Sequence, residues 1–140
     1  MTIGPVEYLI VEFPGNEFNG EIIPAIIKLV DDGTIRLIDL MFITKDDDGH
    51  IAAVEFDERG GPSAFAELKG EVPGFINADD VEHTAEGLEA NSSAALLVWE
   101  DVWAAPFVDA MRDSGGVLLE GARIPHHLVE AALTELNGAI

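Results

Sequence analysis

The sequence predicts an α+β fold, a ferredoxin-like split sandwich in which two β-α-β units surround an antiparallel sheet, with an added C-terminal helix. The first observation behind this prediction is the alternation of strand-like and helix-like apolar patterns along the chain. The second is an internal repeat at a constant shift, which aligns a proline near each helix start and a glycine after each helix end. The aligned pairs are Pro24 with Pro106 and Gly33 with Gly115. Chance similarity of two short amphipathic segments is the alternative, but the order of elements alone also predicts the fold.

The first two elements are predicted as a strand and a helix. Residues 6–13 are rich in β-branched and aromatic residues and end at a Pro-Gly pair, which is typical of a strand. Residues 21–32 repeat apolar residues at helical spacing. Pro24 is tolerable in the first turn of such a helix, and Gly33 is suited to end it.

A β-hairpin and an irregular connection are predicted next. Residues 34–45 form a long apolar pattern, and residues 50–56 are expected to pair back on it as a second strand. The turn between them is Asp46-Asp47-Asp48-Gly49, whose residue types favour tight turns. Residues 57–76 are predicted to be irregular, because paired glycines and two prolines interrupt them.

The second half is predicted to alternate between helices and strands. Asn77 is a plausible helix N-cap, with Asp80 placed three residues later. Residues 94–100 are almost wholly apolar, which is typical of a strand buried on both faces. The remaining elements are a helix over 101–113, a strand over 117–123 and a closing helix over 125–136, with Leu128, Ala132, Leu133 and Leu136 facing inward.

The long strand carries apolar residues on both faces. Ile35, Leu37, Met41 and Ile43 fall on one face, and Ile38, Leu40 and Phe42 fall on the other. In the predicted fold the helices cover only one face of the sheet, so the second face requires a cover. Either the C-terminal helix or another subunit supplies it. We therefore expect a homo-oligomer, a dimer or a larger assembly, and a further protein partner is possible.

Composition excludes several classes of protein. The chain has 140 residues, 48% of them hydrophobic, so residues 1–140 are predicted as one domain with a core rather than a disordered acidic tail. Its net charge is −20, and it contains only seven Lys and Arg residues. So few basic residues exclude nucleic-acid binding through a basic stripe. The absence of cysteine excludes disulfides, thiolate metal sites and a cysteine nucleophile.

Targeting signals are also missing from the sequence. The N-terminus lacks a basic region and carries Glu7 and Glu12 within its apolar stretch, so it does not match a signal peptide. No apolar run reaches the roughly 18 residues of a membrane span, and the negative charge disfavours anionic membrane surfaces. A cytoplasmic location without a membrane partner is expected. The acidity suits a high-salt host or one with a GC-rich genome.

Acidic and histidine residues offer weak candidates for metal binding. The Asp46–Asp48 run resembles calcium-binding chemistry, but an EF-hand needs ligands spread over about twelve residues with a distal glutamate. A solvated turn is the better interpretation. His126 and Glu130 lie one helical turn apart, a pair that is common by accident, and His127 points elsewhere on the helix. We predict no metal site and no cofactor.

Four residues are the candidate ligand-binding residues. Asp39 lies between two apolar neighbours in a predicted strand, so a buried functional acid is one interpretation. The structural alternatives are an ion pair, for example with Arg123, or a position on a solvent-facing edge. Trp99, Trp103 and Phe107 form the densest aromatic group, and the last two lie one helical turn apart. Core packing or a subunit contact is the alternative for these aromatic residues. No catalytic residue is predicted.

Residues 4–26, 35–56, 92–107 and 114–125 carry a family resemblance. They are GPVEYLIVEFPGNEFNGEIIPAI, IRLIDLMFITKDDDGHIAAVEF, SSAALLVWEDVWAAPF and SGGVLLEGARIP. The chain resembles a family of short acidic proteins of unknown function, mostly from actinobacteria. That family is similar to a cousin described as predicted membrane proteins, which shares the pattern at Asp39–Gly49. The cousin carries a glycine-rich apolar insert where this chain has the short polar GGPSAFAELKGEVPG. The resemblance implies no activity.

The expected function is therefore a soluble self-associating domain, a non-enzymatic scaffold or regulatory interaction module. The alternative is a small-ligand-binding or enzymatic ferredoxin-like dimer with an apolar cavity at the sheet face, lined by Asp39 or a tryptophan. A divalent-cation binder acting through the acidic loops is a third hypothesis.

Overall fold

A computed structural model describes residues 3–16, 22–55, 70–72 and 74–138. These residues form an α+β structure with a four-stranded antiparallel sheet and four α-helices. The chain divides into two compact units, residues 1–110 and 111–140. The elements are β1 (Val6–Phe13), α1 (Ile22–Asp31), β2 (Ile35–Lys45), β3 (Ile51–Glu55), α2 (Ala78–Gly87), β4 (Ser92–Asp101), α3 (Ala105–Asp113) and α4 (His126–Gly138).

Most of the predicted elements are confirmed, with small changes at their ends. Pro24 lies in the first turn of α1, and Gly33 follows this helix with a positive φ of 73°. Gly115 follows α3 with a φ of 83°, so both glycines of the repeat end a helix in the left-handed region. Asn77 and Asp80 form the predicted N-cap of α2 as a complete capping box. The helix predicted over 101–113 is shorter, because β4 extends to residue 101 and a 3-10 turn precedes α3.

The strand order of the sheet is β1-β4-β2-β3, and every neighbouring pair is antiparallel. Leu97 of β4 faces Leu9 of β1 on one side and Leu40 of β2 on the other. β1 and β2 are therefore parallel to each other, with β4 between them. The ferredoxin-like arrangement is not confirmed, because this order places the second and fourth strands at the centre of the sheet.

The two helices α1 and α2 pack on opposite faces of the sheet. The α1 face buries a cluster made of Ile23, Ile26, Leu37, Leu40, Phe42, Ala95 and Leu97. The α2 face buries Ile38, Met41, Ile43, Ile76, Leu88, Ala94, Leu96 and Val98. The expectation that the C-terminal helix or another subunit must cover the second face is therefore wrong for β2 and β4, because α2 covers that face of these two strands. The apolar residues on both faces of β2 follow from burial between two helices.

A β-bulge interrupts β2 at Ile38, where the register with β4 shifts between Leu37 and Asp39. The connection to α2 packs directly against this bulge. Backbone N–H groups of Glu71 and Val72 donate to the carbonyls of Leu37 and Ile38, at 3.1 and 2.8 Å. These hydrogen bonds give partners to backbone carbonyls of β2 in the part of its edge that β3 does not reach. Residues 57–69 and 73 of the predicted irregular connection lie outside the described residues, as does residue 56 at the end of the predicted strand before it.

Replacing Gly70 with alanine is expected to lower the free energy of unfolding by about 1–3 kcal/mol. An added Cβ would lie 2.8 Å from both the Asp39 Cα and the Ile38 carbonyl oxygen, so the backbone of the bulge must shift. Urea denaturation measures the change. The matched control is Gly87→Ala, because no atom lies within 4 Å of a Cβ at that helical position and alanine favours the helix. Equal stability of the two variants would contradict the close packing.

The second unit contains α4 and the residues before it. No residue of α4 is buried, and Leu128, Leu133 and Leu136 are exposed rather than inward. Residues 116–125 form no regular secondary structure, so the predicted strand over 117–123 is wrong for this structure. A strand needs a neighbouring strand to bond its backbone, and none of the described residues provides one for this segment.

Candidate functional site

The best candidate for a functional site is an apolar groove on the α2 face of the sheet, between β1 and α2. Its larger part has a volume of about 350 Å³ and is lined by residues of β1, β4 and α2 together with Phe75 and Ile76. A smaller part of about 200 Å³ continues towards Glu12 and Leu88, and the two parts share Ile10, His83 and Thr84. We call both parts together the β1–α2 groove. Its size is within the range of small-molecule sites.

The alternation of β1 explains why this groove is open. Val11 and Phe13 pack against the α1-face cluster, so the alternate residues of β1 point towards the α2 face. The cluster under α2 contains residues of β2 and β4 but none of β1. The α2 face of β1 is consequently left partly uncovered, with Tyr8 73% exposed and Ile10 44% exposed.

Three polar residues of α2 lie along the groove. The Asp80 carboxylate accepts a hydrogen bond from the Asn77 backbone N–H at 2.9 Å, and the Asn77 side chain accepts one from the Asp80 N–H at 3.0 Å. Thr84 Oγ1 donates to the Asp80 carbonyl at 3.0 Å. His83 is exposed one turn after Asp80. The capping box fixes the start of α2 and thereby the position of these side chains.

Asp39 is not among the described residues that line the groove, and it is completely buried in the β2 bulge. Its Oδ1 accepts a hydrogen bond from the Leu40 N–H at 2.9 Å, and its Oδ2 accepts one from the Ile76 N–H at 2.8 Å. The carboxylate therefore ties the segment before α2 to the centre of the sheet. The two oxygens are satisfied by backbone donors rather than by the ion pair considered for it.

Glu100 is a second buried carboxylate, near the end of β4. Its Oε2 accepts a hydrogen bond from the Gly4 N–H at 2.7 Å, and its Oε1 lies 3.0 Å from Arg36 Nε. The same Nε lies 3.1 Å from a carboxylate oxygen of Glu71. These are ion pairs rather than aligned hydrogen bonds, because the Nε–H has no hydrogen-bond partner among the described residues. The cluster connects the N-terminal segment to β2 and β4.

The three aromatic candidates do not form one site with Asp39. Trp99 packs against the α1-face cluster, and its Nε1–H donates to Glu7 Oε1 at 3.0 Å and to Asp101 Oδ1 at 3.1 Å. Trp103 precedes α3 in the 3-10 turn and Phe107 lies within α3, and both side chains are strongly exposed. Ligand binding by these four residues stays a prediction, and none of them lines the β1–α2 groove.

The acidic turn at Asp46–Gly49 is a tight turn whose neighbouring side chains are of types that can bind a metal ion. Asp46 Oδ1 accepts hydrogen bonds from the backbone N–H groups of His50 and Asp48, at 2.8 and 2.9 Å. The His50 N–H is the main reason that the pKa of Asp46 lies below its usual value. Ligand atoms of Asp46, Asp48 and His50 lie within 4.8 Å of one another, but all three residues are exposed. In α4, His126 Nε2 lies 3.2 Å from Glu130 Oε1.

Sequence reasoning missed Tyr8, Phe75 and His83 as groove residues. The available signal was in β1, where apolar or aromatic side chains alternate with residues on the other face. No pattern in the sequence marked Phe75 and His83 as groove residues, because their place in the groove depends on where α2 packs on the sheet.

Within the part of the chain that the structure describes, no helix is long and apolar enough to cross a membrane.

Comparisons with known proteins and protein families give one match. No curated protein and no solved structure matches the chain. A family model described as a family of unknown function, DUF6325, matches residues 2–139. This match covers nearly the whole chain, and the chain therefore belongs to the DUF6325 family.

Proposed function

We propose that this chain is a non-enzymatic self-associating module, a scaffold or regulatory interaction domain whose partner is a second copy of itself. The observation that supports it best is β1, an eight-residue strand at the edge of the sheet. No strand among the described residues pairs with its outer edge. An exposed apolar edge strand is a template for pairing with another chain. β1 contains no proline or lysine that would block such pairing.

A second apolar surface in the same chain supports association. Residues 111–138 expose large aliphatic side chains in a stretch too short to bury them by itself. They are Val117, Leu118, Leu119, Ile124, Leu128, Val129, Leu133 and Leu136. Exposed apolar surface on this scale is typical of an interaction site. The buried carboxylates of Asp39 and Glu100 meanwhile hold the fold together, which favours a structural rather than a catalytic role for them.

We expect salt to strengthen the association. Each copy carries a net charge of −20, so two copies repel each other, and ions screen this repulsion. Apolar contacts are not weakened by salt in the same way. Sedimentation velocity at about 0.05 and 0.5 M NaCl is expected to show a larger fraction of dimer or higher oligomer at the higher concentration.

The Ile10→Lys variant tests whether β1 lies in the interface. A lysine in the edge strand places an ammonium group where an apolar contact is expected, and we predict that the dissociation constant rises at least about tenfold. The matched control is Ile51→Lys in β3, the other edge strand, because Ile51 is 41% exposed and Ile10 is 44% exposed. Both variants change the net charge equally. A monomer at all concentrations and salts, or equal weakening by both variants, would contradict the proposal.

Binding of a small apolar molecule is the second candidate function, and the β1–α2 groove favours it. An open space of about 350 Å³ with an apolar floor is large enough for a small ligand. Binding there does not require the self-association, because all lining residues belong to residues 1–110.

Three further predictions accompany this proposal: a relation to split β-α-β folds, an actinobacterial origin with a membrane-protein cousin, and a cytoplasmic location. The pairs β1/β2 and β3/β4 are each parallel and each separated by one antiparallel strand, which supports a relation to split β-α-β folds. The opposite positions of α1 and α2 depart from a two-layer sandwich. An actinobacterial origin with a membrane-protein cousin and a cytoplasmic location stay predictions.

A further inference from the structure

We propose that the β1–α2 groove binds a lipophilic cation, a small molecule with an apolar body and one positively charged ammonium-type group. This inference rests on the second function proposed above and specifies the class of ligand. It follows from the apolar floor of the groove, from the carboxylates along it, and from the exposed aromatic side chains beside it.

The floor of the groove requires an apolar ligand body. Leu96 and Val98 of β4 are buried beneath it, and Ile10 of β1 lines both of its parts. A small hydrated ion that settled on this floor would lose water contacts without gaining polar partners from the floor residues. An apolar body removes the exposed side of Ile10 and its neighbours from water, which stabilises the complex by the hydrophobic effect.

The charges along the groove favour a cation over an anion. Asp80 lines the larger part and Glu12 lines the smaller part, whereas no lysine or arginine is among the described lining residues. The nearby Lys45 is not a lining residue, and its Nζ is held by the carbonyls of Ala85 and Leu88 at 3.1 and 3.0 Å. Asp80 Oδ2 accepts the Asn77 N–H, and its other carboxylate oxygen makes no hydrogen bond to a described residue. The net charge of −20 attracts cations to the whole molecule and repels anions.

Aromatic side chains supply a second kind of attraction for a cation. Tyr8 and Phe75 both line the larger part of the groove, and they are 73% and 55% exposed. Large exposed aromatic rings beside an apolar groove can contact the apolar body or the charged group of a bound molecule. The electron-rich face of such a ring attracts an ammonium group, most strongly for ammonium groups that carry alkyl substituents and little water.

The single tyrosine of the chain provides a direct measurement at this site. Protein labelled with 3-fluorotyrosine gives one ¹⁹F resonance, from position 8, for each state of the protein. We would titrate it with three probes that share a benzyl body: benzyltrimethylammonium, benzyl alcohol and phenylmethanesulfonate. The expected result is a saturable shift with the cation, an affinity at least about tenfold lower for the alcohol, and no saturable shift with the anion.

Two matched variants test the role of the groove carboxylate. Asp80→Asn keeps an oxygen for the capping hydrogen bond but removes the charge, and we expect it to weaken binding of the cation about three- to tenfold. Asp79→Asn removes one charge from the same helical turn at an exposed position outside the lining, and should change the affinity less than twofold. Both variants have the same net charge, so their difference reports the local contribution of Asp80.

The outcomes separate this inference from the function on which it rests. Equal affinities for the cation and the alcohol, or equal effects of the two variants, would overturn the preference for a cation while leaving an apolar groove. Tighter binding of the sulfonate would overturn it as well. If none of the probes shifts the resonance of position 8, both the inference and small-ligand binding in this groove are wrong.

Discussion

Replacing Asp39 with alanine is expected to lower the free energy of unfolding by about 2–4 kcal/mol. The Asp39 carboxylate is completely buried and accepts hydrogen bonds from the backbone N–H groups of Leu40 and Ile76. Alanine leaves both donors without an acceptor in a place where water does not replace it. The substitution also releases the segment before α2 from the bulge of β2. Equilibrium denaturation in urea, followed by circular dichroism, measures the loss.

A graded series gives the Asp39 prediction a sharper test. Asp39→Asn keeps one acceptor oxygen, so we expect its stability to lie between those of the wild type and the alanine variant. Asp47→Ala is the control, because Asp47 is exposed in the hairpin turn and should change stability by less than about 0.5 kcal/mol. A wild-type stability for Asp39→Ala would show that the two hydrogen bonds contribute nothing to the fold.

Replacing Leu97 with alanine is expected to cost about 2–5 kcal/mol of unfolding free energy. Leu97 is 1% exposed in the central strand β4, and it belongs to the cluster beneath α1. Its neighbours in the sheet are Leu9 and Leu40, so the cavity left by the substitution is enclosed by strands on both sides. The surrounding backbone is hydrogen-bonded on both edges and is poorly able to collapse into the cavity. Chemical denaturation measures this change too.

The control for this prediction uses the same substitution at an exposed position. Leu119 is 94% exposed, and Leu119→Ala should change stability by less than about 0.5 kcal/mol when measured at low protein concentration. A large cost that grows with protein concentration would instead identify Leu119 as part of the self-association surface. Equal costs for the two leucines in dilute solution would contradict the assignment of Leu97 to the core.

The elements that sequence predicted well are those fixed by local chemistry. The hairpin at Asp46–Gly49, the Pro24 helix start and the Asn77 capping box depend on residues a few positions apart. The order of the strands depends instead on pairing between distant segments, and the same apolar patterns fit several orders. The strand over 117–123 shows this clearly, since an apolar run becomes a strand only when another strand bonds to it.

The candidate site was harder to predict than the fold. Asp39 stood out in the sequence because a charge interrupted an apolar strand, and the structure explains that charge through backbone hydrogen bonds. The groove arises from a gap, because α2 packs over β2 and β4 and leaves β1 uncovered. Whether Tyr8 borders solvent or a helix is decided by the position of α2, which no residue near Tyr8 determines.

The central position of β4 also sets the order of events during synthesis. β1 and β2 are both made before β4, yet each of them bonds to β4 rather than to the other. The hairpin of β2 and β3 can form early, because its residues are close in sequence. β1 must wait until residue 101 has left the ribosome, so its apolar side chains stay without a sheet until β4 has been made. We expect such a nascent chain to complete its sheet only after β4 emerges, and to depend on chaperones until then.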